Sequence, residues 1–172
     1  MLKIAGCILV FFSCFTIGMG FKKRKCQRIF ELENLISCMN ILENEMRYSM
    51  SDIEKSFVKM AETASIQNKN IFLSCCEILN HSNGTTLSSI WNEVLSKYKN
   101  NSCYTKEDIN LILEFGNVLG AGDVETQLKN IEFFKINLSN NIETAKAKFQ
   151  KNGDLSLKMG IYIGALIVIF FI

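Results

Sequence analysis

Apolar residues crowd the two ends of this chain, and between them they recur at three- and four-residue steps. At the start, IAGCILVFFSCFTIGMGF (Ile4 to Phe21) holds no charged side chain. Counted from Leu2 it offers about 20 residues, the length a helix needs to cross a bilayer core. At the other end no charge falls between Gly160 and Ile172. Those residues alone would rise only about 20 Å as a helix, short of the roughly 30 Å hydrocarbon core. Leu155 and Leu157 extend the run, and the Lys158 stem can reach back toward headgroups. Residues 155–172 would then rise about 27 Å, enough for a slightly thinned bilayer.

Basic residues give the direction of crossing. Lys22, Lys23, Arg24 and Lys25 follow the first run, and Lys146, Lys148, Lys151 and Lys158 flank the start of the last. Cationic flanks stay in the cytoplasm, so both biases put the middle of the chain inside and both termini outside. A cleaved signal peptide would carry its basic cluster ahead of the apolar run, not behind it, which favours a retained anchor. Gly160 and Gly164 form a G-x-x-x-G pair, with Gly6 and Gly18 in the first run as candidate partners for close helix packing. Glycine is also simply frequent in membrane helices, so both readings stand.

The middle shows helical period and no strand alternation. One stripe joins Ile29, Leu32, Leu35, Ile36, Met39, Leu42 and Met46 over 28–48, continuing from the first apolar run. Ser51 and Glu54 have capping-box spacing and open a helix with Ile53, Phe57, Met60 and Ala61 on its apolar face. A third helix spans 70–81 through Ile71, Phe72, Cys75, Ile78 and Leu79, and Gly84 suits the left-handed turn that ends it. A fourth covers 87–98 with Ile90, Trp91, Val94 and Leu95. Thr105 caps a fifth with Ile109, Ile112, Phe115 and Leu119, broken at Gly120-Ala121-Gly122. Asp123 is placed as the next N-cap, and Leu128, Ile131, Phe134, Leu138, Ile142, Ala145 and Phe149 line a long last helix over 124–151. The expected fold is all-α: a compact bundle of about six helices flanked by N-terminal and C-terminal transmembrane helices. The boundaries are 1–21 for the first span, 22–154 for a cytoplasmic bundle and 155–172 for the second span.

Composition narrows the function. There is no proline among the 172 residues, which suits uninterrupted helices. A net charge of +2 is too small and too local for a nucleic-acid surface. Seven cysteines without a C-x-x-C pair point to reduced thiols, not to a disulfide framework or a zinc site. No phosphate loop, H-E-x-x-H or G-x-S-x-G motif occurs. The single histidine, His81, falls in the last turn of a helix, where a cation suits the dipole. Glu43 and Glu45 diverge by about 200° on a helix and cannot share a proton or an ion. Cys75 and Cys76 read as core fillers. No catalytic, metal-ligating or cofactor-binding residue emerges, and an enzyme is the least supported class. What remains is surface for protein partners.

Several segments, in order, carry a resemblance. They are Leu2-Lys3 with Gly6, the run Leu42-Glu43-x-Glu45-Met46-x-Tyr48-Ser49, Gly84 with Trp91, Leu119-Gly120-x-x-Asp123-x-x-x-Gln127, and Lys158-Met159-Gly160 before the apolar end. Over essentially the whole chain this resembles the stage III sporulation protein AB family of endospore-forming Firmicutes. The family usually has Thr-Pro-Leu where this chain reads Ser51-Asp52-Ile53, and serine still supplies a cap. The resemblance implies a non-catalytic membrane platform subunit of a sporulation-specific, secretion-like transenvelope complex linking mother cell and forespore. It is similar to the platform proteins of type II secretion, which couple a cytoplasmic ATPase to a membrane channel. The implied partners are the membrane, the complex's ATPase and its other membrane subunits, with homo-oligomers left open. Glu43, Glu45, Tyr48, Asp123 and Gln127 are the candidate partner-binding residues. The competing reading is a membrane-anchored helical sensor or signalling protein. That class generally needs an outer ligand-sensing domain or long inner heptads, and the longest helix here is too short for an extended coiled coil.

Overall fold

With no proline to remove a backbone donor, the first apolar run passes without a break into the amphipathic stretch behind it. In the computed structural model one helix, α1, covers Leu2–Asn44. A π-helical turn, Glu45–Ser49, ends it. Then follow α2 (Ile53–Thr63), α3 (Ile66–His81), α4 (Leu87–Tyr98), α5 (Lys106–Val118) and α6 (Val124–Phe171). The structure describes the backbone of residues 2–49, 53–81, 84–99 and 102–171, and the side-chain surroundings of 13, 16, 19–48, 53–81, 84–99, 102–151 and 162. All regular structure among them is helical.

Two compact units are present, Met1–Ile29 with Glu143–Ile172, and Phe30–Ile142. In the second unit, neighbours in sequence pack as antiparallel hairpins. Asn34 of α1 meets Thr63 at the end of α2, while Glu45 meets Lys59 earlier on α2. Phe115 stacks on Phe134 and Asp108 meets Asn141, which sets α5 against α6. Lys135 of α6 reaches Asn40 of α1, so the last helix returns to the first. One end of this unit, the proximal end, is where the chain enters at Phe30 and leaves at Ile142. The distal end gathers the end of α1 and the starts of α2, α4 and α6. A Cβ added at Gly120 would lie 3.3 Å from Leu87 and 4.0 Å from Ile53.

An aromatic chain crosses the core. Phe57 lies 5.9 Å from both Phe72 and Trp91 between ring centroids, and Trp91 lies 6.2 Å from Phe115, which stacks on Phe134 at 4.3 Å. Contacts of this kind add about 0.5–1.5 kcal/mol each beyond simple burial. The apolar stripes meet this core largely as their spacing requires: Leu32, Leu35, Met39, Leu42, Phe57, Met60, Phe72, Ile112, Ile131 and Leu138 are all buried. Gly120, directly after the C-cap of α5, has φ +82°, the left-handed value that stops a helix without Cβ strain, and Gly84, beyond α3, has φ +94°.

Three expectations change. The third helix begins at Ile66, not at residue 70, because a side chain from α1 caps it from outside the local sequence. The helix expected through Tyr48 is α-helical only to Asn44 and widens into the π turn. The flanking stretches are the outer parts of α1, as the continuing stripe suggested, and of α6, so that six α-helices stand among the described residues where a separate last span was expected. Among the described residues no helix is long and apolar enough to cross a membrane, so the flanking transmembrane helices are not supported by the described helices. Most side chains of the two apolar runs lie outside the described residues, as does Ser51 of the expected capping box.

Candidate partner-docking surface

Helix ends leave N–H and C=O groups without intrahelical partners, and most polar contacts of the bundle answer that need. Asp123 accepts from the Thr126 N–H at 3.0 Å through Oδ1, and its own carbonyl takes the Gln127 N–H at 3.1 Å. The Gln127 side chain reaches back to accept from the Gly120 N–H at 3.2 Å. These two candidates thus build the α5–α6 corner. The hydrogen bond from Thr126 holds the exposed Asp123 carboxyl below its usual range.

Glu43 and Glu45 point to different neighbours, as their 200° divergence on a helix requires. Lys135 of α6 donates to Glu43 at 2.5 Å, and Arg47 donates to it at 2.9 Å. Lys59 of α2 donates to Glu45 at 2.8 Å. The two carboxylates therefore tie α1 to α6 and to α2. Tyr48, one turn on, is 78% exposed. Glu43, Glu45 and Tyr48 close α1 while Asp123 and Gln127 open α6, and both sets lie at the distal end. The described contacts link neither set directly to the other.

The Lys135 hydrogen bond, then that of Arg47, holds the Glu43 carboxyl below its usual range. An acid whose folded pKa is depressed stabilises the fold fully above its unfolded pKa, about 4.3 for glutamate, and loses that contribution as pH falls through the folded value. The stability difference between the native chain and Glu43→Gln should be fully present at pH 7 and smaller at pH 3, as the carboxyl becomes protonated in the unfolded chain. Denaturant melts at the two pH values measure it, and an equal difference at both would remove the ion pair from the account.

A buried polar cluster at the proximal end went unread in the sequence. Glu31 is only 1% exposed, and Ser65 donates to its carboxylate. Asn34 clasps the α2–α3 corner: its Nδ2 donates to the Thr63 carbonyl at 3.3 Å and its Oδ1 accepts the Ser65 N–H at 2.7 Å. Asn68 Nδ2 donates to the Glu31 carbonyl at 3.0 Å and to Asn34 at 3.1 Å, while its Oδ1 accepts from Tyr104 OH at 2.6 Å. Burial, with Glu31 nearby, pushes the Tyr104 hydroxyl well up, so it acts as a neutral donor. Beside it the buried Asp108 completes a capping box with Thr105 and accepts from Asn141 at 3.0 Å. The only sequence signal was Asp108 three residues after the expected cap Thr105.

None of Cys26, Cys38, Cys75, Cys76 and Cys103 is in a disulfide. Desolvation pushes Cys38 and Cys75 up to about 12, and Cys76 is raised too, so all three stay protonated and inert at neutral pH. Among the described residues no cluster of histidine, cysteine, aspartate and glutamate could hold a metal ion. A groove of about 230 Å³ runs between α5 and α6, with Leu111, Val118 and Phe133 along it and Phe133 67% exposed. Gly6, Gly18, Gly160 and Gly164 lie outside the residues whose surroundings are described.

The arrangement is one of caps, clasps and exposed faces. The family model described as Stage III sporulation protein AB matches residues 3–172. The chain is 20% identical over 169 residues to Stage III sporulation protein AB of Bacillus subtilis (strain 168), covering 98% of each chain. A solved structure of Stage III sporulation protein AB has the same fold, with a TM-score of 0.66 at 19% identity over 72% of this chain and 96% of that one. With the family pattern satisfied across nearly its full length, the chain belongs to the Stage III sporulation protein AB family.

Proposed function

We propose that this chain is a non-catalytic membrane platform subunit of a sporulation-specific, secretion-like complex between mother cell and forespore. It couples a cytoplasmic ATPase to the membrane channel. The observation that carries this reading is the family match across residues 3–172. In this reading residues 1–21 and 155–172 are the anchors, both termini lie outside, and 22–154 faces the mother-cell cytoplasm. The other membrane subunits of the complex are its neighbours, and a second copy is among the partners to test.

Docking belongs at the distal end. Glu43 and Glu45 hold α1 to α6 and α2 there, and Tyr48 projects beside them. Load applied at that end enters α1 and α6 directly, and each is one continuous helix of 43 and 48 residues. Charge reversal at Glu43, Glu45 or Asp123 would disturb the bundle as well as any partner, because each has an internal contact to lose. A photo-activatable side chain at position 48 avoids that confusion, and position 66 at the proximal end, where Ile66 is 82% exposed, is the control. Irradiation of sporulating cells should capture the ATPase from position 48 and not from position 66. Capture from 66 alone, or equally from both, would move the docking surface away from the distal end.

A further inference from the structure

Consecutive residues on an α-helix step round its axis by about 100°, so four in a row face every side. Lys22, Lys23, Arg24 and Lys25 are such a run on α1, with Arg28 one turn on. On α6 the side chains of Lys146, Lys148 and Lys151 are exposed. All of these belong to one compact unit. Between residues 22 and 29, and between 143 and 151, the only carboxylate is Glu143. The result is a cationic band about two turns tall. A single bound anion needs donors converging on one point, whereas charge spread to every side suits an extended negative layer.

The surface next to the band supplies an independent observation. Just before it on α1, Met19 and Phe21 are 47% and 57% exposed. Further out, the Thr16 hydroxyl donates to the Ser13 carbonyl at 2.9 Å, so it is satisfied within its own helix. Exposed apolar side chains beside an internally satisfied hydroxyl fit hydrocarbon, where no water can take the bond. Apolar surface on one side and a basic band on the other is the pattern of a bilayer interface, with the cations at the phosphate level.

We propose that this band binds the headgroup phosphates of anionic phospholipids, so that the chain retains anionic over zwitterionic lipid. The inference rests on the membrane reading above and adds a lipid preference to it. The test uses the full chain in a mild non-ionic detergent, offered equimolar phosphatidylglycerol and phosphatidylcholine, with retained lipid counted by native mass spectrometry. Phosphatidylglycerol should be favoured by about tenfold at low salt. The preference should shrink in about 1 M salt, where the screening length is only about 3 Å. Inorganic phosphate added at matched ionic strength should leave it unchanged, since the site is a lipid surface. In the combined variant Lys23→Gln, Arg24→Gln, Lys148→Gln and Lys151→Gln it should fall to parity, with helicity by circular dichroism retained.

Equal retention of the two lipids by the native chain overturns the proposal. So does an undiminished preference in the variant, or displacement by inorganic phosphate. Alkaline extraction of native membranes separates this from the broader reading. A chain that resists extraction but shows no lipid preference keeps its anchors and loses the basic band's role. One that is extracted yet prefers phosphatidylglycerol keeps the band and loses the anchors.

Discussion

Replacing Gly116 with alanine is expected to lower the stability of the bundle by about 3 kcal/mol, at the upper end of overpacking losses. A Cβ at this position would sit 1.9 Å from Cδ1 of Trp91 and 2.6 Å from its Nε1. The indole cannot simply retreat. Its Nε1 donates to the Ile112 carbonyl at 2.8 Å, and Phe57, Phe72 and Phe115 surround it. Either α4 and α5 separate or the indole rotates and gives up that bond. For a chain of this size the loss is a drop in melting temperature of about 10 °C, read by circular dichroism on the full chain. Trp91→Leu should restore part of it, leaving the double variant more stable than the sum of the two single losses. An unchanged melting temperature in Gly116→Ala would mean that α4 and α5 are not held together as described.

The second large effect is at Asn68. Changing it to alanine removes both donors and the acceptor of a side chain that is 1% exposed. Tyr104 then loses its 2.6 Å acceptor, and Asn34 and the Glu31 carbonyl each lose a donor. Each buried group left short costs about 1–3 kcal/mol, and part is recovered where Tyr104 still donates to Glu31. The expected loss is about 3 kcal/mol, against about 1 kcal/mol for Tyr104→Phe, which removes a single hydroxyl. Denaturant unfolding of both variants tests the order. If Asn68→Ala were the milder of the two, the cluster would not be the clasp of the proximal end.

Much of the candidate docking surface was legible because it is local. Asp123 caps α6 as its position before Val124 suggested, and Glu43 and Glu45 diverge as two-residue spacing on a helix demands. What those carboxylates touch was not legible. Lys135 is 92 residues from Glu43, and nothing in the spacing of either helix names the other as its partner. The same limit hid a practical point about the thiols. Cys26 is exposed and can report membrane side, whereas Cys76 is buried with a raised pKa.

Helix formation and termination depend on residues within one or two turns, so the sequence by itself determined an all-helical chain, its apolar stripes, the caps at Thr105 and Asp123 and the stop at Gly120. It also determined the family, through motifs spread along the whole length. Only the tertiary structure decided that Asn68 is a core residue, that Gly116 is a seat for Trp91, and that α3 starts four residues early under a cap from Asn34. Each depends on a contact between groups more than 20 residues apart. Asparagine and glycine carry little hydrophobic signal of their own. Their burial follows from the neighbour that packing brings to them.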